Sequence, residues 1–376
     1  MLASDKLRID ERHEVDHHAG VYLLRLLSFS MFKHFAFSFI FSAICVAPAA
    51  WWGFHLSGMQ GLVTALGVTL ILAVLEVSLS FDNAVVNAEV LKGWNRFWMQ
   101  MFLTVGILIA VFGMRLVFPI VIVAVTASLP VLEVVDLALN DPATYASYLN
   151  AHHAEISAFG GMFLLLVFLN YFLDQNKTTH WIRPLESPIK WLGKSSASAA
   201  LIALVSILLV SGLAPSESRL AILIAGLWGV VVYFGVETIA DMLGGDSGAD
   251  SGAPRAVMQG GIAGFLYLEV LDASFSFDGV IGAFAITDDV ILIMLGLAIG
   301  AIFVRSMTIY LVEEGTLAQY RFLAHGAHWA IGALAVIMLL SMRLHVPELV
   351  TGGIGAAFIG AALIHSIKVG AKEVQV

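Results

Sequence analysis

Apolar residues run in long blocks along the chain, at roughly 35–54, 61–91, 102–126, 157–173, 197–213, 219–240, 260–287, 289–311, 327–342 and 347–367. Each is close to the ~20 residues that a helix needs to cross a bilayer. The pattern predicts an all-α integral membrane protein of about ten transmembrane helices. Before the first block, residues 1–34 mix acids, bases and histidines and lack the pattern of a cleaved signal peptide, so they read as a cytoplasmic polar leader. A stretch rich in Gly, Asp and Ser at 244–259 reads as a flexible acidic linker. It divides a first membrane half, 35–243, from a second, 260–376.

Composition strengthens this picture. Of 376 residues 59% are apolar and 12% charged, and the mean hydropathy is +0.90, whereas soluble domains are about 25% charged. If alternate loops are summed, one side of the membrane carries fifteen Lys and Arg residues, among them Lys92, Arg96, Lys177, Lys190 and Arg321, and the other only Arg219 and Arg343. The positive-inside rule then places both termini in the cytoplasm, and the plasma (inner) membrane is the expected location. A net charge of -9 argues against nucleic-acid partners. A lone Cys45 excludes an intramolecular disulfide or a multi-cysteine metal site.

Two of the blocks share a motif. Glu76 to Asn83 reads EVSLSFDN and Asp272 to Gly279 reads DASFSFDG, and Gly106 precedes Arg115 by nine residues as Gly296 precedes Arg305. Five crossings separate the copies, so they run in opposite directions, which is the signature of an inverted-topology repeat with a site at the midplane. Five carboxylates, Glu76, Asp82, Glu269, Asp272 and Asp278, face two guanidiniums, Arg115 and Arg305, which leaves three negative charges uncompensated. Charges near the bilayer centre cost roughly 2.5–3.5 kcal/mol each on insertion scales. They must be paired, protonated or liganded, and a divalent cation offsets most of the excess.

Glu76, Asp82, Asn83, Asp272 and Asp278 are therefore the candidate metal ligands, with Ser80, Ser276, Glu269, Arg115 and Arg305 auxiliary. Oxygen donors without thiolates suit Mn²⁺, Mg²⁺ or Ca²⁺. At 100° per residue Glu76, Ser80, Asn83 and Asn87 share one helical stripe, while Ser78, Asp82 and Glu89 share another. Either the helix unwinds around residues 78–81 to bring them together, or each stripe serves its own site. His325 and His328, three apart, could share one face as ligands or proton relays, or pack at an interface. The leader histidines His13, His17 and His18 read as part of a solvated segment.

No serine-hydrolase, zinc-protease or P-loop string occurs, so an enzyme is not expected and transport would run downhill or be ion-coupled. The strings LEVSLSFDNAVVNAEVL (Leu75 to Leu91), GILIAVFGMRLVFP (Gly106 to Pro119), FLYLEVLDASFSFDGVIGAFAIT (Phe265 to Thr287) and HGAHWAIGALAVIMLLS (His325 to Ser341) resemble the TerC family of integral membrane proteins. The likeness is to its longer branch, labelled only as a domain of unknown function. The resemblance implies kinship with the lysine-exporter superfamily, association with tellurite resistance and, for several relatives, manganese export. It places Glu76, Asp82, Asn83, Asp272 and Asp278 on the family's acidic motifs.

The expected function is a secondary transporter exporting a divalent cation, foremost Mn²⁺, with proton exchange as candidate coupling. The cation is cargo, and no permanently bound cofactor is expected. The alternatives are a membrane scaffold for cytosolic stress proteins and an amino-acid exporter.

Overall fold

A computed structural model describes residues 2–175, 177, 179–193, 195, 197–243, 260–313, 315, 320–341 and 346–373, with side chains from residue 33 onward except 126, 240, 241, 243, 277, 278, 348, 349 and 370–373. The linker, at 244–259, lies outside the described residues, and the side chains of leader residues 1–32, including His13, His17 and His18, lie outside the described side chains. Among the described residues the fold is all-helical, with seven helices long and apolar enough to cross a membrane: Lys33–Leu79, Arg96–Val125, His153–Leu173, Arg219–Ile239, Val290–Glu313, Leu323–Leu340 and Val350–Val369. Ser198–Leu213 is a shorter apolar helix. Ile262–Phe284 is of spanning length but carries Glu269, Asp272 and Asp278.

The surface is inverted relative to a soluble protein. Ile40, Ile44, Val63, Leu70 and Leu209 point outward, while Glu76, Asn83, Asn87, Arg115 and Asp272 are buried. Apolar side chains on the outside and ionisable ones inside are what a lipid solvent selects.

The Lys33–Leu79 segment has 47 residues, about 70 Å if straight, which is over twice a hydrocarbon core. It folds back on itself. Ser57 and Gly58 leave helical geometry, Gly58 with φ 61° and ψ -141°, a region that essentially only glycine occupies. On either side of this turn small residues meet in antiparallel register: Gly53 against Gly61 and Ala65, Ala49 beside Ala65, and Cys45 beside Ala73. Helix backbones approach this closely where side chains are small. Trp52 donates to Asp289, whose other oxygen caps the Val290–Glu313 helix through the N–H groups of Ile291 and Leu292, and this ties the hairpin to the second half of the chain. Gly58→Ala is expected to cost about 1–3 kcal/mol through backbone strain, seen as a lower melting temperature of the detergent-solubilised protein. Gly67→Ala, a helical position with open space around it, should be neutral; equal melting of the two variants would contradict the strained turn.

Around the buried His153–Leu173 helix, elements of the two halves interleave. The segment holding Gly106 packs on Ile262–Phe284, and Val290–Glu313 packs on the 59–79 arm of the hairpin. Residues 128–155 form two short helices, Val131–Asn140 and Pro142–Ala151, whose Val134, Tyr145 and Leu149 pack on Ile120 and Val123.

The helix carrying the first motif is broken at Ser80 (φ -101°, ψ 15°) and resumes as Phe81–Leu91. The interruption is one residue long: Ser80 N–H still donates to Glu76 O, and Ala84 N–H to Ser80 O. Unwinding therefore occurs where the stripe geometry placed it, but it is too small to turn Asp82 toward Glu76. Ile262–Phe284 has no such break.

Candidate functional site

Glu76, Asn83, Asp272, Ser80, Ser276, Arg115 and Arg305, joined by Asn87, line one cavity of about 40 Å³. It brings the two motif copies together. Glu76 is 1% exposed and its Oε1 accepts from Ser80 Oγ at 2.8 Å and from Arg115 Nη2. The Arg115 Nη1 group donates to Ala110 O. Its position depends on backbone wound with i→i+5 hydrogen bonds over Phe102–Gly106 and Ile109–Val117, a geometry common at functional sites. Gly300 packs on the Glu76 side chain, and Gly279 lies where a Cβ would sit 3.1 Å from Glu76 Oε2. Gly296, one turn earlier than Gly300, packs instead on Leu72 and Thr69.

Across the cavity Asn87 Nδ2 donates to Asp272 Oδ1 at 2.9 Å, and Asn83 is a second amide hydrogen-bonded to the same carboxylate. The Oδ1 atoms of Asn83 and Asn87 are buried without a hydrogen-bond partner. Buried acceptors left unpaired cost about 1–3 kcal/mol each, so the pair favours an electropositive occupant. A cavity of 40 Å³ admits a bare ion or a few waters, since one water needs roughly 10–15 Å³ of such space.

The remaining candidates are placed elsewhere. Asp82 lies in a second cavity of about 430 Å³ with Asn150, His153 and Thr351. Glu269 is buried against Gly106, both carboxylate oxygens without a hydrogen-bond partner. Asp278 lies outside the described side chains. Arg305 makes no ion pair among the described residues; its guanidinium lies 5.3 Å from the Phe37 ring centre. Among the described side chains the excess negative charge is thus not gathered at one point, for those lining the small cavity include two carboxylates and two guanidiniums. Among the described residues no three His, Cys, Asp or Glu side chains form a ready metal cage, so a cation there would be held by two carboxylates plus amide and hydroxyl oxygens. Asn87 was legible on the Glu76 stripe; nothing in the sequence marked the i→i+5 winding that aims Arg115.

His325 and His328 do not converge as ligands. His325 contacts Thr179 O at 2.9 Å and Tyr171 OH at 3.3 Å, while His328 stacks on the Tyr171 ring at 3.5 Å. They help seat the 174–193 segment. Its anchor is Glu186, 1% exposed, which accepts from the N–H groups of Trp181 and Ile182, from the Trp329 indole, and pairs with His180 at 3.2 Å. Lys177 lies 3.6 Å over the Tyr171 ring with no hydrogen-bond partner on Nζ. Burial pushes the Lys177 ammonium down to about 7, against the pull of Glu186 and Glu89.

Unfolded lysine titrates near ~10.4, so between pH 7 and 10.4 the undocked segment binds more protons and docking strengthens as pH rises. Protease nicking within 174–193 should therefore slow from pH 7 to 9 in wild type relative to Lys177→Met, in which this dependence is absent. A constant ratio of the two rates would contradict it.

A family model described as a protein of unknown function (DUF475) matches residues 81–373, a span that includes Asp82, Asn83, Asn87, Arg115, Asp272 and Arg305. No curated protein and no solved structure matches the chain.

Proposed function

The chain belongs to the DUF475 family, and we propose that it is a secondary transporter that exports a divalent cation, foremost Mn²⁺, from the cytoplasm. One observation carries this reading: two buried carboxylates from different halves of the chain, Glu76 and Asp272, meet on a small cavity lined by unpaired amide oxygens. The kinship with TerC proteins and their manganese-exporting relatives is part of the same proposal.

In the chemistry we infer, Arg115 is the counter-ion of the empty site. A divalent cation entering between Glu76 and Asp272 displaces the Arg115 guanidinium, and the two carboxylates then match the charge of the cation, while Arg305 stays over the Phe37 ring. Without metal, Arg115 neutralises Glu76, and protons compete with the cation for the pair. Exchange follows if the site opens alternately to the two sides. The oxygen-only donor set favours Mn²⁺, Mg²⁺ or Ca²⁺ over softer metals.

Ten crossings complete the proposal: the hairpin contributes two, the chain of helices from Arg96 to Thr126 one, and Ser198–Leu213 and Ile262–Phe284 one each beside the remaining long helices. The two halves are an inverted repeat, supported by the reciprocal packing of Gly106 on Ile262–Phe284 and Gly296 on the hairpin. Both termini lie in the cytoplasm of a plasma membrane. Impermeant labels at Met1, Val376 and within 177–194 should then react only after lysis, and labels within 128–155 in intact cells. Reaction at both termini before lysis would reverse the export direction.

The amino-acid exporter fits less well, because the cavity that joins acids to Arg115 and Arg305 is 40 Å³, far below the ~300 Å³ and more of small-molecule pockets, and no arginine is among the described residues lining the 430 Å³ cavity to hold a carboxylate. A scaffold gives no reason to keep paired acids in lipid. Proteoliposomes loaded with Mn²⁺ or with lysine separate the three: Mn²⁺ efflux alone supports the proposal, while lysine efflux or neither flux overturns it.

A further inference from the structure

On each motif helix, sequence-adjacent residues line the two cavities. Leu79 and Phe275 line the 430 Å³ cavity, and their chain neighbours Ser80 and Ser276 line the 40 Å³ cavity. These are equivalent positions in the two motif copies, the fourth and fifth of EVSLSFDN and DASFSFDG. Leu79 is held in place by Gly352, where a Cβ would approach its Cδ2 to 2.8 Å, and Phe275 is 6% exposed. Asp82 is buried and lines the larger cavity together with Leu79 and Phe275, its Oδ1 accepting the Asn83 N–H at 3.0 Å.

Volume assigns different tasks to the two spaces. At ~10–15 Å³ of such space per water, the six waters of a hydrated divalent cation need about 60–90 Å³. The cation fits the larger cavity with its shell and fits the smaller one only bare. We propose that the larger cavity is a second cation-binding station, in which Asp82 holds a hydrated divalent ion, and that Leu79 and Phe275 are the apolar partition where the ion sheds or regains its shell. This rests on the divalent-cation reading above. Asp82 attracts the ion through its waters, and its single carboxylate holds it weakly, which suits release. Residues 128–155 contribute Asn150 and His153 to this cavity, so in the proposed orientation it opens away from the cytoplasm.

Cysteine accessibility tests the partition without needing transport. In full-length Cys45→Ser protein in vesicles, Thr351→Cys, on the larger cavity, should react with an impermeant cationic thiosulfonate applied to the side opposite the termini. Ser276→Cys should be protected on that side and become reactive when Phe275→Ala or Leu79→Ala is added; two partition variants guard against one failing to fold. At Thr351→Cys, adding Asp82→Asn should lower the ratio of cationic to anionic reagent rates several-fold, because the carboxylate concentrates cations. The proposal is overturned if Ser276→Cys reacts as fast as Thr351→Cys with Leu79 and Phe275 intact, if it stays protected in both partition variants, or if the ratio ignores Asp82. The expected labelling without Mn²⁺ flux would leave the partition standing and remove the transport reading; Asp272-dependent flux with the wrong labelling would do the reverse.

Discussion

Asp272→Asn is expected to reduce divalent-cation flux on the order of a hundredfold or more, while membrane abundance and melting temperature stay near wild type. A missing unit charge a few ångströms from a dehydrated cation in a low-dielectric cavity is worth several kcal/mol, and each 1.4 kcal/mol is a factor of ten. Stability is spared for a specific reason. Asp272 is held by the amides of Asn87 and Asn83 and makes no ion pair with a described residue, so an asparagine keeps an acceptor there and lowers the cost of burying charge in lipid. Wild-type flux in this variant would remove the small cavity from the transport path.

Glu76 behaves differently, because its carboxylate is paired with Arg115 and both are buried. Removing one partner of such a pair leaves an uncompensated charge and costs about 3–5 kcal/mol. Glu76→Gln and Arg115→Gln should each destabilise the protein strongly, and the double variant should recover most of the loss. The displacement chemistry adds a sharper outcome: in Arg115→Gln a divalent cation takes the place of the guanidinium, so saturating Mn²⁺ should raise its melting temperature well above the rise seen in wild type. Equal rises would show that metal and Arg115 do not contend for Glu76.

The apolar blocks foretold an all-helical fold, of which seven helices among the described residues are long and apolar enough to cross a membrane, because lipid makes length and hydropathy nearly sufficient for a helix. The turn at Gly58 falls between two of the blocks, at 54–61. The motif repeat likewise identified Glu76 and Asp272, whose side chains converge across the two halves. Asp82 was harder. It lies six residues from Glu76, on a separate stripe at 100° per residue, and only tertiary structure could decide between unwinding and two sites. The break at Ser80 is a single residue, so Asp82 keeps its own direction and enters the larger cavity. Arg115 and Arg305 look equivalent in sequence, yet the i→i+5 winding around Arg115 carries its guanidinium to Glu76 while Arg305 rests over Phe37. Such winding depends on packing against neighbouring helices, which no local pattern encodes.

The most direct measurement is an electron paramagnetic resonance titration of Mn²⁺ into the purified, detergent-solubilised full-length protein, wild type beside Asp272→Asn. Loss of the free Mn²⁺ signal with a saturable site in wild type, abolished in Asp272→Asn, is the expected result. No saturable binding in wild type, or binding unchanged in Asp272→Asn, would contradict a divalent-cation site between Glu76 and Asp272.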